Sequence, residues 1–227
     1  MVLRPRPRIA PYLAEALGTF ALVFAGPGAV AVDAASGGGV TGVGIGMSFG
    51  LIVMAMIYAI GHISGCHINP AITLAMLVAR RIRLWRAAGF IAAQLAGAVL
   101  AGLAIVAIVG DAGDAGATVP RINGADAAFW SELVLTFFLA FVVFAVATDD
   151  RAQDTFAAIA IGGYVGFAAT GWGPIANASM NPARSFGPAV ASNVWDSHWV
   201  YWAAPLAGAV IAALVYEVLR APGEHNA

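Results

Sequence analysis

Two asparagines carry the chemistry open to this chain. Asn69 stands in Gly61-His-Ile-Ser-Gly-Cys-His-Ile-Asn-Pro-Ala-Ile-Thr73, and Asn181 in Gly173-Pro-Ile-Ala-Asn-Ala-Ser-Met-Asn-Pro-Ala-Arg-Ser185. Asparagine is a favoured N-cap, and proline suits the first helical position, where its missing N–H costs nothing. Each Asn-Pro-Ala therefore reads as a helix start. The side-chain oxygen caps the first turn, and the NH2 group is left outward as a donor. The apolar stretches after them, 71–79 and 183–191, are about half the roughly 20 residues a membrane span requires. Both read as half-helices that enter a membrane and stop near its middle. Meeting head to head, they would bring two donors and two helix starts, each worth roughly +0.5 of a charge, to one spot. That suits a neutral molecule with a lone pair and repels cations. A single Asn-Pro is usually only a turn and a cap; two copies between long apolar runs are more than that.

The remaining polar residues each have two readings. Glu15 and Glu132 are ionisable groups inside apolar runs, which by default points to function, here a proton relay. The structural reading has each carboxylate accept hydrogen bonds from N–H groups of the re-entrant loops, whose backbone must be satisfied within the protein. Their equivalent positions, one per half of the chain, favour the structural role. Arg184 lies three residues after Asn181, on the first turn of the second half-helix; it is either a snorkelling surface residue or a donor and cation barrier at the outer mouth. His62 and His67 lack a nearby carboxylate or second cysteine to complete a metal site, and His67 reads as a packed loop residue. Cys66, the single cysteine, reads as a free thiol. No cofactor, metal or covalent step is implied. Gly61-His-Ile-Ser-Gly65 resembles an intramembrane serine protease only loosely, since that chemistry wants Gly two before the Ser. Loop carbonyls ahead of each asparagine, at Gly65, Cys66, His67 and Ile68 and at Asn177, Ala178 and Ser179, cannot all be bonded in a helix. Lining a wet pore is where they are tolerated.

The elements that must position these residues are membrane spans. Of 227 residues, 61% are hydrophobic and 10% charged, where a soluble domain carries roughly a quarter charged. The formal net charge of −1 gives no sign of a nucleic-acid partner. Six apolar runs, 10–32, 40–60, 85–109, 127–148, 155–172 and 199–219, approach spanning length. The N-terminal stretch reads as a tail before a retained helix, not a cleaved signal peptide. The chain has no lysine, so orientation rests on arginine. Arg4, Arg6 and Arg8 precede the first run, and Arg80, Arg81, Arg83 and Arg86 lie between the second and third. The positive-inside rule places both tails in the cytoplasm, although the acidic loop 149–154 gives no support.

An internal repeat is also visible: Glu15-Ala-Leu-Gly-Thr-Phe20 matches Glu132-Leu-Val-Leu-Thr-Phe137. A three-span unit repeated once must be inverted, because an odd number of crossings flips the second copy; inverted repeats with broken helices mark transport proteins. The expectation is an all-α membrane protein with six transmembrane helices and two re-entrant half-helices. Its parts are a cytoplasmic tail 1–8, a channel domain 9–220 with halves of about 9–109 and 127–220, and a second tail 221–227. Small-residue spacings at Gly42, Gly46 and Gly50, and at Gly162 and Gly166, fit close helix crossings.

The paired boxes, His-Ile-Ser-Gly-Cys-His-Ile-Asn69-Pro-Ala and Asn181-Pro-Ala-Arg184-Ser185, resemble the aquaporin (major intrinsic protein) family over nearly the whole chain. The resemblance implies a multi-pass channel of the plasma or inner membrane, assembled as a homotetramer with one pore per subunit. It also implies passive single-file conduction of water. By motif-matched position it gives a constriction of Phe49, Ala169, Ala178 and Arg184, although Phe49 could also be an ordinary core or lipid-facing aromatic. The chain departs from the family pattern here. Water-specific members place His where Ala169 stands. Glycerol-conducting members have Trp near Phe49, a bulky aromatic near Ala178 and Asp at Ser185. Ser185, Ala189 and Tyr201-Trp202 side with water channels, whereas two alanines imply a wider mouth open to glycerol, ammonia, urea or metalloid acids. A coupled transporter on the same repeat would need a titratable midplane cluster, which beyond Glu15 and Glu132 is absent from the sequence.

Overall fold

Once water is excluded, a spanning segment must satisfy its backbone within itself, and the helix does so. Each apolar run is accordingly helical in the computed structural model, which describes residues 9–149, 151–152 and 156–220. In chain order the elements are α1 (Ala10–Ala35), α2 (Thr41–Ser64), α3 (Pro70–Val78), α4 (Leu84–Val109), α5 (Gly124–Ala147), α6 (Ala157–Ala176), α7 (Pro182–Ser192) and α8 (Val200–Leu219). The expected tails 1–8 and 221–227, with Arg4, Arg6 and Arg8, lie outside the described residues, as does part of the loop 149–154. Among the described residues, five helices are long and apolar enough to cross a membrane. The sixth, α6, has 20 residues, about 30 Å of helix. Its Gly, Tyr, Thr, Trp and Pro residues dilute its hydropathy.

The short elements are α3 and α7, of 9 and 11 residues. Both have proline at the first helical position. The first ends in a Schellman motif: Arg80 takes a left-handed φ of 59°, and the N–H groups of Arg80 and Arg81 bond the carbonyls of Leu77 (3.0 Å) and Met76 (2.8 Å). A left-handed Asn193 (φ 57°) ends the second.

The halves α1–α4 and α5–α8 repeat one order: two long helices, a half-helix, a long helix. Within each half the first and last helices pack together, α1 on α4 and α5 on α8. Each half-helix also reaches across, α3 against α8 and α7 against α4, so neither half completes its interior alone. Helices α2 and α6 cross at glycine: a Cβ on Gly50 would stand 2.7 Å from the Gly162 carbonyl oxygen, and one on Gly162 would stand 2.6 Å from that of Gly50. Backbone-to-backbone approach of this kind requires the missing side chain. The repeat extends to hydroxyls one turn after each buried acid: Thr19 bonds the Glu15 carbonyl at 2.8 Å and Thr136 that of Glu132 at 2.6 Å.

Candidate functional site

Asn69 and Asn181 both adopt extended backbone (φ −156°) immediately before a half-helix. The Asn69 Oδ1 accepts from the Ala71 N–H at 2.8 Å. The Asn181 Oδ1 accepts from the N–H groups of Ala183 (3.0 Å) and Arg184 (3.3 Å). The two boxes are also bonded to each other, which no local pattern in the chain encodes. The Asn69 Nδ2 donates to the Met180 carbonyl at 2.8 Å, and the Asn181 Nδ2 donates to the Ile68 carbonyl at 2.9 Å. Each carboxamide therefore pins its own helix and the opposite loop. One of its two N–H donors is committed across the interface, and among the described residues the other is uncommitted.

The two acids hold the loops from behind. Glu15 accepts from the N–H groups of His67 (3.0 Å) and Ile68 (2.6 Å), from the Ser64 hydroxyl (2.6 Å) and from Gln94 Nε2 (2.8 Å). Glu132 accepts from the N–H groups of Ser179 (2.6 Å) and Met180 (2.7 Å). Both are fully buried. Left-handed φ values at Cys66 and Ile68, and at Asn177, Ala178 and Met180, swing successive peptide planes so that N–H groups meet the carboxylate. Gly65, Cys66, His67 and Ile68, and Ala178 and Ser179, form part of a cavity wall. Further polar groups brace the loops. The Thr73 hydroxyl donates to the Asn69 carbonyl (2.9 Å) and contacts His67 Nδ1 (3.1 Å), and Ser179 and Ser185 share a hydrogen bond at 2.5 Å.

The cavity, about 430 Å³, is bounded by both asparagines, Phe49, Ala178 and Arg184, by aliphatic side chains such as Val53, Leu139 and Ile161, and by Arg81 and Thr148. Arg184 is 1% exposed. Its Nη1 donates to the Gly116 carbonyl at 2.8 Å, and its Cζ lies 5.0 Å from the Phe49 ring centre. Its Nε is buried without a protein partner, so one directed donor remains unpaired at this wall. Two residues expected at the site are absent from the wall. Ala169 lies one turn beyond Val165, which does line the cavity; it is buried beside Phe49 and Ala178, and its methyl group extends no further. Asn177 ends α6, and its Oδ1 accepts from the Val119 N–H at 3.1 Å, tying down the loop 110–123 instead.

Beside Thr148, Asp149 accepts from Arg151 Nε (2.9 Å), Arg151 Nη2 (2.6 Å) and the Tyr216 hydroxyl (2.9 Å). Arg151 above all, then Tyr216, holds this carboxyl well below the ordinary aspartate range. The acidic loop that contradicted the arginine pattern thus neutralises part of its own charge. Nearby, Arg81 pairs with Glu217 at 2.8 Å, and both Arg81 and Arg220 donate to the Thr148 carbonyl.

Several participants were missed from sequence. Gln94 and Thr73 are polar residues within apolar runs, a pattern that could have flagged them. The Gly116 carbonyl had no signal, because an anchoring backbone oxygen looks like any other.

Comparison with known proteins bears on the family and the fold. The family model described as major intrinsic protein matches residues 5–216. The chain is 44% identical over 216 residues to aquaporin NIP1-4 of Oryza sativa subsp. japonica, covering 94% of this chain and 78% of the relative. It is 41% identical to nodulin-26 of Glycine max, covering 94% and 79%. In fold it is similar to the X-ray structure of the aquaglyceroporin from Plasmodium falciparum, with a TM-score of 0.82, 23% identity and coverage of 92% and 95%.

Proposed function

Since the chain belongs to the major intrinsic protein (aquaporin) family, whose members are channels and not enzymes, we propose that it conducts water passively in single file and admits other small uncharged solutes by the same path. One observation carries this reading: asparagine donors from two half-helices, and a buried arginine with an unpaired Nε, bound one cavity lined otherwise by aliphatic side chains and loop residues. A permeant with lone pairs meets donors at Asn69, Asn181 and Arg184, and acceptors along the two loops. A cation meets two helix starts and a guanidinium with no carboxylate facing it across the cavity. We assign Phe49, Ala178 and Arg184 to the constriction, with Ala169 one helical turn behind its wall. Alanine at two of these four positions favours solutes larger than water, such as glycerol, as the second reading.

A proton-coupled mechanism is less well supported, because Glu15 and Glu132 hold loop N–H groups with both oxygens. Protonating either would release the loops that carry the asparagines. We place it in a cell membrane and assemble it as a homotetramer because the family implies both, and we place both termini in the cytoplasm on the support of the arginines between the first half-helix and the helix after it. Stopped-flow light scattering on proteoliposomes, comparing water, glycerol and ammonia, tests the function. Solute uptake that saturates and follows a proton gradient would replace the channel reading with coupled transport.

A further inference from the structure

The segment joining α3 to α4 and the first turn of α4 contain Arg80, Arg81, Arg83 and Arg86 and no acid. Topology alone explains a count of arginines on one side of a membrane. It does not explain their convergence. Arg81, Arg83 and Arg86, with His67 and Ser64, line a second cavity of about 490 Å³ that shares Arg81 and His67 with the pore wall. Among the described residues, only Arg81 of the four arginines has an ion-pair partner, Glu217. The guanidinium of Arg86 rests over the Phe90 ring at 5.3 Å, which fixes its position without neutralising it. Arg83 is also the N-cap of the 26-residue α4, has no side-chain cap hydrogen bond, and precedes a first turn without an acid. Unpaired backbone N–H groups and the positive helix end therefore add to the same field.

Arg83 and Arg86, with Arg81 paired to Glu217 at the edge, line a hollow beside a helix start and suit the oxygens of a phosphate, which arginine binds through paired N–H donors. The next two residues, Leu84 and Trp85, are 59% and 85% exposed. An apolar side chain and an indole at a helix end are placed for the boundary between headgroups and acyl chains. We propose that this cavity binds a phosphate-bearing anion, which beside Leu84 and Trp85 is the headgroup of an anionic phospholipid in the adjoining leaflet. Because Arg81 stands in both walls, an occupant would sit against the end of the pore cavity bounded by Thr148.

The test uses the full chain in detergent, titrated with phosphatidylglycerol or phosphatidylcholine and read by native mass spectrometry. Phosphatidylglycerol should be retained in preference to phosphatidylcholine. Arg83→Gln/Arg86→Gln should weaken its retention roughly ten- to thirtyfold. Arg121→Gln, on the opposite side of the chain, should leave it unchanged. Neither Arg83 nor Arg86 lines the pore cavity, so unchanged water permeability reports a folded double variant. The single variants, each expected to lose severalfold, serve if the double variant does not fold. Inorganic phosphate tests the source of the anion: failure to displace the lipid supports a headgroup site, and displacement at equal potency retains the phosphate site but assigns it to a soluble anion. Equal retention of the two lipids, or a preference untouched by the double variant, would overturn the proposal.

Discussion

The guanidinium of Arg184 lies 5.0 Å from the centre of the Phe49 ring, so the first turn of α7 and the middle of α2 meet across one end of the pore cavity. The ring is seated by an absence: a Cβ on Gly26 would fall 2.2 Å from Phe49 Cε1. Gly26→Ala must displace the ring from α1, and a shift toward Arg184 would narrow the space between them. We expect water permeability to fall and glycerol permeability to fall further. Phe49→Ala should do the reverse, raising glycerol flux severalfold in proteoliposomes. Equal effects of both variants on glycerol would remove Phe49 from the constriction.

Ala169→His adds an imidazole one turn from the cavity wall. It is expected to suppress glycerol flux while sparing water. Unchanged glycerol flux would show that position 169 does not reach the permeation path, and Ala178 and Phe49 would then carry the size limit.

Glu132→Gln keeps the shape but replaces one carboxylate oxygen with an NH2 group facing a backbone N–H. Leaving one of the Ser179 and Met180 N–H groups unpaired should cost roughly 1–3 kcal/mol of stability, seen as a lower Tm in detergent, with reduced water flux because Asn181 comes directly after. A variant of full stability and lost transport would instead favour a proton relay.

Asp149 gives a pH-dependent test. Its carboxyl is held below the ordinary value of about 3.9 by Arg151 and Tyr216. Its contribution to stability is therefore complete above that value and is lost as pH falls below it. Asp149→Asn should lower Tm equally at pH 7.5 and 5.5, and the gap from wild type should narrow below about pH 4. A gap independent of pH would mean that shape, not charge, matters there.

What could be read from the sequence was local. Asn-Pro-Ala specifies a capped helix start within three residues, and both half-helices begin at the proline of that motif. Glu15 and Glu132 were visible as misplaced charges, but their partners lie 49 to 79 residues away for Glu15 and 47 to 48 away for Glu132. No periodicity encodes such a distance. The cross-bonding of each asparagine to the opposite loop depends on tertiary geometry, and so does the Gly116 carbonyl that fixes Arg184. The turn preceding that carbonyl contains Asp114 and Ala115 at left-handed φ near 50°, a conformation such residues rarely adopt. In the sequence this stretch is only the gap between two apolar runs.

The most direct measurement is the gradient dependence of permeation in proteoliposomes held at equal pH inside and out. Water flux, and flux of a small neutral solute such as glycerol, should rise in proportion to the gradient, without saturation and without a proton current. Saturating flux that stops when a proton gradient is collapsed would contradict passive conduction.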